Sequence, residues 1–122
     1  MDYKALDLDW NEIRLLTFLP QDADGRIRCR LDHASLINAP AYAALSYCWG
    51  DPTPVKSIVI NDVEVEIGPN LESALRCLQS RGYDRLWVDA ICINQQDNVE
   101  KSQQLLWMGS IYRRATRVAA WV

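Results

Sequence analysis

The hydrophobic period of this chain changes after Pro69, and that change constrains its fold more than any other feature. Before it, apolar residues alternate or run in short blocks. From Leu71 they recur as Leu71, Ala74, Leu75 and Leu78, the i, i+3, i+4, i+7 spacing of an amphipathic helix. Asn70 is a competent N-cap and Gly82 a C-terminal stop, so the spacing predicts a helix over 71–81. "RLWVDAI" then reads as a strand. At Asp97 a capping box begins, with Glu100 three residues later, and Leu105, Met108, Ile111, Tyr112 and Ala115 fall close to one face of a second helix over 98–115. "RVAAWV" is a further apolar strand. Strand, helix, strand, helix, strand in short succession is the signature of a parallel sheet.

The residues ahead of Pro69 add strands. "EIRLLTFL" and "RIRCRLDHASL", separated by the turn-forming "PQDADG", read as an antiparallel hairpin. "YAALSYCWG" is a short apolar run ended by Gly50, Asp51 and Pro52, as expected of a central strand stopping at a loop. "KSIVINDVEVEIG" alternates around Asn61-Asp62, the tip of a second hairpin. The expected architecture is α/β: a mainly parallel central sheet holding strands near 43–48, 85–89 and 117–121, flanked by the two helices, with additional N-terminal hairpin strands.

At 122 residues, 49% hydrophobic and 24% charged, the chain fits one globular domain with a modest core. A net charge of -3 argues against a general nucleic-acid binder, whose affinity rests on neutralised phosphates. The charge is uneven. Residues 98–122 hold Glu100 against Lys101, Arg113, Arg114 and Arg117, a balance of +3 that leaves -6 for the rest. Arg113 and Arg114 either suit the C-terminal end of a helix dipole or form a basic face toward a partner. Cys29, Cys48, Cys77 and Cys92 are scattered without a CxxC pair, and His33 is the only imidazole, so no metal site is expected. No apolar run reaches the roughly 18 residues that span a bilayer, and the polar "MDYKALDLDWNE" is no signal peptide. These features predict a cytoplasmic protein with free thiols.

Ligands of open α/β sheets gather at the carboxyl ends of the strands. Two polar loops are expected there, "SYCWGD" and "DAICINQQDN", and if their strands are neighbours, Ser46, Trp49, Asp51, Asp89, Asn94 and Gln95 converge on one cleft.

The quoted residues also carry a resemblance. "YAALSYCWGD", "NLESALRCL", "LWVDAICINQQDNVEK" and "QLLWMGSIYRRATRVAAWV" resemble the successive motifs of the fungal heterokaryon-incompatibility (HET) domain, from "EIRLL" to Trp121. The resemblance implies one domain over residues 1–122, cut short at its C-terminal end, that triggers cell death on fungal non-self recognition. HET domains are remotely similar to Toll/interleukin-1 receptor (TIR) domains, which implies a TIR-like, flavodoxin-like sheet. Some TIR domains cleave NAD and others assemble signalling complexes. Two functions follow as alternatives: a module that signals by self-association or with other cell-death proteins and needs no cofactor, or a hydrolase with NAD as its substrate. The catalytic glutamate of cleaving TIR domains lies on a helix beyond the strand that "RVAAWV" resembles, so no residue here inherits that role by position.

The candidates carry competing readings. Glu100 is either an acid or nucleophile at the cleft or, more simply, a capping-box residue. Asp89 either binds a ribose hydroxyl or braces its loop through backbone N–H groups. Asn94 and Gln95 suit loop bracing, because amide side chains both donate and accept. Trp49 would stack on a ring or plug the core rim. Cys92 lacks a nearby base and reads as a structural thiol. "WGDPTP" has one glycine and two prolines, which disfavours Rossmann or P-loop phosphate binding.

Overall fold

Residues 3–7, 9, 11–47, 50–51 and 53–121 are described by a computed structural model of the chain. Glu12–Leu19 (β1) and Arg28–Ser35 (β2) pair antiparallel along their whole length, Glu12 opposite Ser35 and Leu19 opposite Arg28. The connecting turn is held by Asp22, whose Oδ1 accepts the N–H groups of Asp24 and Arg26. Ala43–Tyr47 forms β3. Lys56–Ile60 (β4) and Val63–Ile67 (β5) are joined through Asn61 and Asp62, both at positive φ (51° and 64°). That is the two-residue hairpin turn whose backbone matches the strand twist, and Asn and Asp tolerate it better than other side chains.

The helix after β5 is α1, Pro69–Ser80, burying Leu71, Ala74, Leu75 and Leu78 as the spacing predicts. Its N-cap is Gly68 rather than Asn70: Pro69 occupies the first helical position, where its missing N–H is no loss, and carries Asn70 into the first turn. Gly82, at φ 86°, ends the turn that follows. Arg85–Trp87 (β6) is shorter than expected, because the chain bends at Val88 into a one-turn helix, Asp89–Cys92 (α2). Asn98–Arg114 forms α3 and Arg117–Trp121 forms β7.

Among the described residues the seven strands make one sheet in the order β5-β4-β2-β1-β6-β3-β7. The strands near 43–48, 85–89 and 117–121 are indeed mutually parallel neighbours, β6-β3-β7. The sheet as a whole is mixed and mostly antiparallel, not the mainly parallel TIR-like sheet expected. The β1–β2 and β4–β5 hairpins are antiparallel, and β1 runs antiparallel to β6 through Leu16↔Leu86 and Thr17↔Arg85. Only the short β2–β4 contact adds another parallel pair. The hydrophobic pattern could not foresee this, because a strand buried on both faces looks the same in either direction.

Strand alternation puts Leu16, Leu86, Ala43 and Leu45 on one face and Leu15, Trp87 and Ala44 on the other, and all are buried. Trp87 meets Tyr112 of α3 edge-on, with ring centroids 5.9 Å apart, so α3 covers the second face. Tyr47, on the first face, lines a cleft with Leu71 of α1 and Ile91 of α2. β7 is an edge strand with Val118 and Ala120 exposed, so it lacks the two-sided cover expected of it. The register of α3 also departs from expectation. Its buried positions are Glu100, Gln104 and Ile111, with Trp107, Met108 and Tyr112 packed beside them, and Leu105 points outward at 48% exposure.

Candidate functional site

Because β3 and β6 are parallel neighbours, Ala43 opposite Leu86 and Ala44 opposite Trp87, their carboxyl ends open on the same edge of the sheet. Ser46 and Tyr47 end one strand; Asp89 follows the other as the first residue of α2. Asp89 is half-buried. Burial pushes its carboxyl above the ordinary aspartate range, against the backbone N–H groups of Ala90 and Asp89 itself. The Tyr47 phenol is pushed up to about 12, mainly by burial and further by the Asp89 charge. Burial and then Asp89 raise Tyr112 as well, while a hydrogen bond with the Ser46 side chain acts the other way. Ser46, Tyr47, Asp89 and Tyr112 therefore form one polar cluster at the strand ends. Tyr112 was not among the expected site residues, since its helical spacing marks it as core.

The other candidates do not join that cluster. Trp49 lies outside the described residues. Asp51 is exposed and turns back on its own loop, its Oδ1 accepting from the Thr53 N–H (2.9 Å) and hydroxyl (2.8 Å), which hold it below the usual carboxylate range. Asn94 and Gln95 brace their loop: Asn94 Oδ1 accepts from Gln96 N at 3.1 Å and Gln95 Nε2 donates to Asp89 O at 2.9 Å. These bonds fall within the "DAICINQQDN" loop, whose carbonyls and N–H groups would otherwise need other partners.

Glu100 is displaced furthest from expectation. Asp97 does cap α3, its Oδ1 accepting from Val99 N and Glu100 N at 3.1 Å. The Glu100 side chain does not return to complete the box. It is 4% exposed and forms a forked pair with Arg14, itself 1% exposed, through Nη1–Oε2 and Nη2–Oε1 contacts of 2.7 Å each. Arg14 also donates to Cys92 O (3.1 Å) and Lys4 O (2.7 Å), Glu100 Oε2 accepts from Asn94 N (2.6 Å), and the Tyr3 ring covers the guanidinium at 4.7 Å. The pair thus ties the N-terminal segment, β1, α2, the loop and α3 together. Sequence reasoning missed this unit, although an arginine inside the apolar run "EIRLL" is its visible trace.

Two adjoining clefts of about 300 and 280 Å³ run beside α2, sharing Glu66, Ile67, Ala90 and Ile91. Tyr47 and Gly50 line one end, Asn94 and Gln95 the other. A larger cavity of about 490 Å³, unforeseen from sequence, lies over β1 and β2; Lys4 lines it together with Arg14, paired with Glu100, Arg30, paired with Asp32 at 2.5 Å, and His33, whose Nδ1 lies 3.3 Å from Glu12. Cys92 is fully buried, with its thiol pushed up to about 12, chiefly by burial, in keeping with a structural role. Arg113 and Arg114 are exposed in the last turn of α3.

What this arrangement can do chemically is limited to one half-buried carboxyl with two phenols and a hydroxyl around it. The second acid is locked in an internal ion pair, and no group of three or more His, Cys, Asp or Glu side chains among the described residues could hold a metal ion. No described helix is long and apolar enough to cross a membrane.

Residues 42–122, more than half of the chain, match the family model described as heterokaryon incompatibility protein (HET). The chain belongs to that family. It is also similar to "Heterokaryon incompatibility protein 6, OR allele" of Neurospora crassa, with 37% identity over 136 aligned positions that cover 99% of this chain and 20% of that protein. The chain thus spans about a fifth of the length of this curated relative. No solved structure matches it.

Proposed function

We propose that the chain serves fungal heterokaryon incompatibility, signalling cell death in the cytoplasm by associating with further copies of itself or with other cell-death proteins, without a cofactor and without binding nucleic acid. Family membership and the likeness to a Neurospora incompatibility protein support the biological role. The observation that carries the association reading is the outer surface of α3. Val99, Leu105 and Leu106 are exposed there, with Lys101, Arg113 and Arg114, while the helix's single acid is withdrawn into the Arg14 pair. A helix that directs leucine and arginine outward is poorly explained by the stability of one chain.

A second reading, NAD cleavage, draws on Asp89, a half-buried carboxyl with a raised pKa beside Tyr47 and Tyr112. The two separate in one experiment: purified protein is incubated with NAD and released nicotinamide is followed, with sedimentation velocity on the same sample. The association reading expects no release above the protein-free control and a concentration-dependent sedimentation coefficient. Release that disappears in Asp89→Ala would establish the second reading instead.

A further inference from the structure

Resting on the association reading, we infer that α3 is a self-complementary docking surface on which a second copy of this chain lays its own α3 antiparallel, about a two-fold axis passing close to Leu106. The inward face of α3 is defined by Glu100, Gln104 and Ile111. Directly opposite stand Val99, Ser102, Leu106, Gly109 and Arg113, spaced 3, 4, 3, 4, which is the a/d seam of a pair of packed helices. All five are exposed, Val99 at 71% and Leu106 at 83%. The seam is also centred: α3 runs from Asn98 to Arg114, and Leu106 lies at its midpoint, seven residues from both Val99 and Arg113.

Charge decides the direction of pairing. One end of α3 carries Asp97, exposed at the N-cap; the other carries Arg113 and Arg114. A parallel pair would set arginines against arginines and align the two helix dipoles. An antiparallel pair sets Arg113 and Arg114 of each copy near Asp97 of the other and opposes the dipoles. In that arrangement Leu106 meets Leu106 of the second copy, Val99 lies against the Arg113 stem, and Ser102 and Gly109 leave room for the backbones to approach. Arg113 now folds back on its own helix, donating to Ser110 Oγ at 3.0 Å over Gly109, and it would turn outward on docking. A two-fold contact of this kind is isologous and closes at a dimer. A single helix pair is smaller than a standard interface, so association is expected only at high protein concentration.

The test is cysteine cross-linking of the full chain under mild oxidation, with the unsubstituted chain as background for the native thiols. Leu106→Cys should form a disulfide-linked dimer. Val99→Cys and Arg113→Cys should each stay at background alone and cross-link when mixed. Sedimentation velocity on Leu106→Glu should show more than roughly tenfold weaker association than the parent chain, with an unchanged circular dichroism spectrum. Self-linking of Val99→Cys would overturn the antiparallel seam. An associating parent chain whose Leu106→Cys form stays at background would overturn this surface and leave the association reading standing. A parent chain that remains monomeric at the highest attainable concentration would remove both.

Discussion

Arg14 stands on a buried strand position where an aliphatic side chain would ordinarily pack, and both terminal nitrogens of its guanidinium are taken up by Glu100 and by the carbonyls of Lys4 and Cys92, while the buried Nε has no hydrogen-bond partner among the described residues. A buried pair that loses one partner leaves an uncompensated charge. Arg14→Met or Glu100→Leu alone should therefore cost about 3–5 kcal/mol, a large share of the roughly 5–15 kcal/mol that holds a domain folded. The double variant should recover most of the loss, since two apolar side chains can replace a buried pair. Urea denaturation of the three variants checks this, and a double variant no better than the singles would show that the hydrogen bonds to Lys4, Cys92 and Asn94 dominate. Asp89 behaves in the opposite sense. Its folded-state pKa is raised by burial, so the native state holds its proton more tightly than the unfolded chain does. Its contribution to stability is fully present below the unfolded carboxylate range and is lost as pH rises through the raised value. Asp89→Asn should consequently be more stable than the parent near neutrality, with the advantage fading below the carboxylate range, as read from urea midpoints across pH. A variant destabilised throughout would show that the carboxylate is held by partners rather than merely tolerated.

At the scale of elements, α3 combines a well-made start with a costly middle. Asp97 caps it through two N–H groups, and Asp97→Ala should lose on the order of 1 kcal/mol in chemical denaturation. An unchanged midpoint would mean that the first turn is held by Glu100 alone. Gly109 weakens the helix interior, yet a Cβ placed there would meet only the flexible end of Arg113, at 3.2 Å. Gly109→Ala should therefore stabilise the single chain by about 0.5–1 kcal/mol, seen as a raised denaturation midpoint; a fall would mean that Arg113 cannot yield. Most elements were legible from residue chemistry. The change of period at Pro69, the Asn61-Asp62 turn and the Asp97 cap all lie where the sequence predicts them. Errors arose where side chains of mixed character decide. Leu105 was assigned to the core by its type, whereas Glu100 and Gln104 take the inward positions, because a glutamate matched to a buried arginine belongs inside and a lone helical leucine need not. The short helix α2 also went unseen, since four residues carry no periodicity.

At the scale of the whole molecule, pairing of sequence-distant strands is what the sequence concealed. Local patterns marked β1, β3, β6 and β7 as strands, but nothing in Leu15, Leu16 or Leu86 states that β1 runs against β6, and so the sheet is mixed where a parallel one was expected. The positions of the candidate residues were legible to the same extent: Ser46 and Asp89 lie at the ends of neighbouring parallel strands, while Glu100 turns to Arg14, a partner 86 residues away that no local pattern reveals. The consequence for function is a molecule with one half-buried acid at its strand ends and an apolar, basic helix face turned to solvent. The most direct measurement is cell death on expressing the protein in a fungal host, comparing Asp89→Ala with the double reversal Arg113→Glu/Arg114→Glu at matched protein levels. Killing should survive Asp89→Ala and be lost in the double reversal, because reversed charge opposes docking without touching the strand-end cluster. Killing that is lost in Asp89→Ala and survives the double reversal would contradict association through α3 and place the activity at Asp89.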